Sequence, residues 1–172
     1  HHMMDEKPPA LAVINPRRSD NQFPDPNLAG VGVAFHVAAS LRRVMRQKKL
    51  WSTGHEPDLR QLLDLVALGT VADVVSLTGV NRILVANGLT VLSQLLRPGI
   101  RELAQLAGLT PPLTAGDIAF RLAPRINAHG RMWRADEGVR VLLTKDSRLA
   151  NVLAAQLNIA NNQRRDTERH IL

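Results

Sequence analysis

The chain has 172 residues, of which 45% are hydrophobic, enough to bury a sizeable core and ordinary for a globular protein. Its 22 Lys and Arg against 15 Asp and Glu leave a formal charge of +7, which favours an anionic partner with nucleic acid first; the 3% aromatic content leaves little for base-stacking platforms and points to phosphate contacts. Cysteine is absent, which excludes disulfides, thiolate zinc sites and cysteine nucleophiles, fits a reducing cytoplasm and leaves His and carboxylate as the metal ligands; no apolar run approaches the roughly 18 residues of a membrane span.

In chain order, ALAVIN at 10–15, set between prolines, has the length and composition of a buried strand and is the only convincing strand. RRSDNQFPDPN at 17–27 is a polar loop with turn chemistry. LAGVGVAFHVAASLRRVMRQ then reads as a helix, with Val33, Val37, Leu41 and Val44 at three- and four-residue steps and basic residues gathering in its last turns. Within it, GVG is too short for a nucleotide-binding fingerprint and suits close helix packing, and His36 suits a satisfied boundary position. KKLWSTGHEP is a connector. From Pro57 a second helix carries Leu59, Leu62, Leu63, Val66, Ala67 and Thr70 on one stripe, and further helices are expected around 80–96, 98–107, 114–122 and 134–143, with a long amphipathic helix from Ser147 onward. One strand among six or seven helices is odd for a complete α/β domain, because a strand's backbone groups need partners. The chain is therefore expected to be part of something longer.

VALGTVADVV at 66–75 holds nine residues that suit a buried segment and one carboxylate, Asp73. An acid in such a run is at its edge, hydrogen-bonded, or bound to a cation, since burying it alone costs several kcal/mol. The helix dipole disfavours a negative charge near a C-terminal end, which weighs against a simple cap.

Taken with His1-His2, Asn15-Pro16 and LAGVGVAFHV, the strings LLDLVALGTVADVV (62–75) and FRLAPRINAHGRM (120–132) occur in the order found in the RecJ single-strand exonucleases of the DHH phosphoesterase superfamily, which the chain resembles over essentially its whole length. The resemblance implies an α/β fold, of which this chain is a mostly helical part with one or few strands. It places residues 1–145 in the C-terminal part of the catalytic domain and 146–172 in a helix connecting to a second domain. It implies metal-dependent 5′→3′ hydrolysis of single-stranded DNA in recombination and repair, in the cytoplasm, with two divalent cations, Mn2+ or Mg2+. Single-stranded DNA is the expected ligand, with a helicase or a single-strand-binding protein as candidate partners and no membrane.

Residue by residue, the resemblance assigns Asp73 to metal binding, and His1 and His2 to the two histidines of the Asp-His-His motif; two histidines followed by Met also fit the remnant of an expression tag. The Asp of that motif and the family's earlier Asp-rich motifs are not in the sequence. Arg125, Asn127 and Arg131 are candidate DNA contacts, because the fork of donors on Arg matches phosphate oxygens; the alternative is that an arginine packs the turn and pairs with Asp117 or Asp136. His129 stands where the family has a small residue and is not expected to be a ligand. Two other functions stay open: a phosphodiesterase on oligoribonucleotides or cyclic dinucleotides, and a catalytically silent nucleic-acid-binding scaffold.

Overall fold

In a computed structural model describing residues 8–52, 54–132 and 136–171, the regular structure is helical. The helices are α1 (Gly30–Gln47), α2 (Leu63–Ala72) preceded by a 3-10 turn (Leu59–Leu62), α3 (Gly79–Leu92), α4 (Pro98–Leu106), the short α5 (Ala115–Asp117), α6 (Ala123–Met132), α7 (Asp136–Leu143) and α8 (Ser147–Ile171). The expected strand at 10–15 does not form, and there is no strand among the described residues. A strand persists only where a neighbour takes up its backbone groups. Here the Val13 carbonyl instead accepts a bond from the Arg18 guanidinium (Nη1 to O, 2.7 Å).

Two compact units make up the chain, His1–Gly88 and Leu89–Leu172. In the first, Leu28, Val66 and Leu84 form a buried core, with Phe23, Val31, Phe35, Leu63 and Val80 packed against it. Two glycines sit at close approaches in this unit. A Cβ on Gly32 would lie 2.8 Å from the Leu28 side chain, and one on Gly88 would lie 2.3 Å from the Leu63 carbonyl oxygen, so α3 approaches α2 at backbone distance. His36 is partly buried, its Nδ1 2.8 Å from the Gly32 carbonyl oxygen and its ring edge-on to Phe23. Along α1, Val37, Leu41 and Val44 remain exposed beside a groove of about 640 Å³ that Val13 and Ile14 also line.

In the second unit α8 packs against α4, α6 and α7, burying Leu103, Leu122, Val141, Leu153 and Leu157. α4 begins with Pro98, whose fixed φ suits a first helical turn, and α5 begins with a capping box in which the Thr114 side chain and the Asp117 backbone N–H are paired. From Ala115 to Met132 the chain stays helical through a π-turn at Ile118–Leu122, where the Ala123 N–H reaches back to the Ile118 carbonyl. The wider turn has a local cause. Pro124 offers no N–H and its ring crowds the carbonyl one turn earlier, so an ordinary α-turn is disfavoured where a π-turn fits. APRINAHGR is therefore helix, where the sequence suggested a turn.

α8 has two halves. Up to Asn161 it contributes Ala150, Leu153, Ala154, Leu157 and Ala160 to the core; beyond Asn161 nearly every described side chain is exposed.

Candidate functional site

α2 buries Val66, Ala67, Leu68, Thr70 and Val71, then ends at Ala72, so Asp73 is its C-cap residue, its N–H bonded to the Gly69 carbonyl at 3.0 Å. The Asp73 side chain is exposed. Asp73 thus takes the edge position left open by the sequence, in the cap place that the helix dipole weighs against: the apolar stretch closes at Val71, and the acid stands just past it in solvent. Among the described residues it makes no hydrogen bond or ion pair. Val74, which follows, has φ +56°, a left-handed conformation that costs a β-branched residue about 1–3 kcal/mol. The chain reverses there.

That reversal places residues 73–76 beside Pro26, Asn27 and Leu28, and with Arg17 they line a cleft of about 260 Å³. One buried amide ties the two walls together. Asn81, 0% exposed, donates from Nδ2 to the Asn27 carbonyl (2.8 Å) and to the Ser76 carbonyl (3.1 Å), and its Oδ1 accepts from the Ala29 N–H (3.4 Å). Asp25 adds a second tie, with one carboxylate oxygen accepting from the Asn27 N–H (3.0 Å) and the other from the Val80 N–H at the start of α3 (3.1 Å). Arg17 is held over the same cleft by bonds from Nε to the Pro26 carbonyl (3.4 Å) and from Nη2 to Asn27 Oδ1 (2.9 Å). The sequence reading did not single out Arg17, Asn27 or Asn81. The available signals were an amide inside an apolar helix, at Asn81, and the Asn-Pro-Arg turn.

The remaining candidates fall elsewhere. His1 and His2 lie outside the described residues, and among the described residues no three of His, Cys, Asp and Glu gather as a metal-binding set. Arg125 sits in α6 with only 8% of its surface exposed, donating from Nε to Asn158 Oδ1 (3.0 Å) on α8 and from Nη1 to the Arg121 carbonyl (2.7 Å). It pairs with neither Asp117, which serves the Thr114 cap, nor any other carboxylate among the described residues. Burial first, then the nearby Arg121 and Arg165 charges, pulls its guanidinium below the ordinary arginine value. Asn127 is exposed on the same helix; Arg131 also belongs to α6, its side chain outside the described part of the structure.

No family model matches the chain. Related sequences do. The chain is 45% identical over 173 aligned residues to the single-stranded-DNA-specific exonuclease RecJ of Dickeya dadantii, covering 98% of this chain and 30% of that protein. It is 38% identical to RecJ of Bacillus subtilis (95% of this chain, 19% of the relative) and 36% identical to RecJ of Thermus thermophilus (100% and 24%). Among solved structures, RecJ from Thermus thermophilus in complex with Mn2+ superposes with a TM-score of 0.83 at 34% identity, over 99% of this chain and 24% of that one. A manganese-bound exonuclease RecJ gives 0.83 at 33% identity, over 99% and 41%. The chain thus spans about a third or less of the length of the relatives named here.

Proposed function

We propose, from a chain that belongs by sequence and fold to the RecJ family, that it forms part of a metal-dependent nuclease core acting on single-stranded DNA from its 5′ end, in DNA recombination and repair, with Asp73 contributing a metal ligand. The observation that carries the proposal is the state of Asp73: a carboxylate with no hydrogen bond or ion pair among the described residues, at the carbonyl end of a helix, beside a strained backbone turn. A negative charge there is repelled by the α2 carbonyls, and a divalent cation would relieve that repulsion while taking a hard oxygen ligand. The residues fit such an ion in part. Asp73 supplies one ligand, and the further ligands, His1 and His2 among them, are assigned by the family resemblance.

When bound, such cations supply an activated water and charge stabilisation at the leaving oxygen. The chain's own residues hold Asp73 in place: Asn81 joins the cleft walls, and Asp25 fixes the start of α3 beside the loop that carries Asn27. On α6, Asn127 and Arg131 are the candidates for contact with the DNA backbone, and Arg125 supports that helix from within. The assignment of residues 1–145 to the catalytic domain, the connecting role of α8 and any helicase or single-strand-binding partner belong to the same proposal.

Asp73→Ala in the full-length protein tests it. Manganese-dependent hydrolysis of single-stranded DNA is expected to fall at least about a hundredfold, and manganese affinity with it. Unchanged hydrolysis together with unchanged manganese binding overturns the assignment.

A further inference from the structure

We propose that Arg17 is a phosphate-binding residue of the Asp73 cleft, holding a DNA phosphodiester beside the carboxylate; the proposal rests on the nuclease reading of that cleft. Two neighbouring arginines show the contrast. Arg18 is fully engaged, its guanidinium paired with both carboxylate oxygens of Asp20 and bonded to the Val13 carbonyl. Arg17 has no carboxylate partner among the described residues. Among the described residues its guanidinium is oriented by neutral acceptors alone, the Pro26 carbonyl and Asn27 Oδ1, and these leave Nη1 uncommitted and the charge uncompensated.

Arg17 and Asp73 line one cleft without forming an ion pair. A guanidinium and a carboxylate in one cleft, neither in an ion pair among the described residues, complement a cation and an anion together, which describes a metal-associated phosphate. The other lining residues narrow the ligand class. Pro26, Asn27, Leu28, Val74, Val75 and Ser76 include no aromatic ring, so the cleft offers no stacking face for a base and suits the backbone instead. Fixing the guanidinium before binding removes much of the rotamer entropy that a free surface arginine loses on gripping a phosphate.

The experiment measures single-stranded DNA binding by the full-length protein, with divalent cations chelated, across a salt series and with oligonucleotides of different base composition. For Arg17→Ala the affinity is expected to fall roughly tenfold, equally for all sequences, because phosphate contacts carry no base information. The log–log salt slope should flatten by about 0.7, one phosphate contact on a single strand. Arg17→Lys should keep the slope and lose part of the affinity, since it retains the charge without the fork. If Arg17→Ala also lowers Tm through the lost bonds to Pro26 and Asn27, Arg17→Gln, which can keep the Asn27 bond, reads the same slope in a folded protein. Wild-type affinity and slope in Arg17→Ala or Arg17→Gln overturn the proposal, as does an effect that depends on base sequence. If hydrolysis and manganese binding survive Asp73→Ala, the nuclease reading of the cleft fails, and the salt slope still decides whether Arg17 holds phosphate.

Discussion

Arg125 shows how one residue type can serve two purposes that only burial separates. Its sequence setting suits phosphate, but its Nε and Nη1 are spent inside the second unit, on Asn158 and on the Arg121 carbonyl. Removing it strips two part-buried acceptors of their donor. Arg125→Ala is therefore expected to destabilise the protein by about 1–3 kcal/mol, measured by denaturant unfolding, while the affinity for single-stranded DNA and its salt slope hold. A variant of unchanged stability with weakened, less salt-sensitive binding would return Arg125 to the DNA surface. Asp73 carries the complementary lesson. Its type and place in the chain were legible, but its exposure was not, because a run of apolar letters does not say at which residue the helix ends and the chain turns back into solvent.

Elements were the most legible level where periodicity was strong. The helices expected near 80–96, 98–107 and 134–143, and the long one from Ser147, are found close to those limits as α3, α4, α7 and α8. Two elements were misread, and each for a physical reason. Residues 10–15 have strand composition but, among the described residues, no neighbour to complete a ladder, while APRINAHGR looks like a turn because Pro124 and Gly130 usually break helices. The π-turn before Pro124 removes that conflict locally, which letter-by-letter propensity does not anticipate. Packing between elements can be tested at the glycines. A Cβ on Gly99 of α4 would meet the Val141 carbonyl oxygen at 1.8 Å, whereas one on Gly116 would find its nearest neighbour, Thr114 Oγ1, at 3.6 Å. Gly99→Ala is expected to cost about 1–3 kcal/mol in urea unfolding through overpacking, more than the helix propensity it gains. Gly116→Ala should be neutral or slightly stabilising. Equal behaviour of the two would contradict the close approach of α4 to α7.

At the scale of the whole chain, the likeness to RecJ was legible from ordered motifs, and a metal-binding constellation was not, since a metal site depends on ligands that converge in space. Asp73 is the ligand proposed from among the described residues, and they gather no set of three. The 172-residue chain by itself is accordingly expected to show little manganese-dependent hydrolysis of single-stranded DNA. Robust turnover by the purified chain that Asp73→Ala abolishes would show that this stretch alone carries enough ligands.

α8 has a consequence of another kind. Its 25 residues span roughly 37 Å, yet only the part up to Asn161 is clamped by a core. A helical stretch with no buried face is marginal in water, so the turns past Asn161 persist as an extension of the clamped ones, sparing them the cost of nucleation. Protection along this single rod is therefore graded: the exposed turns can open without disturbing the core, while the amides facing the core wait for the whole unit to open.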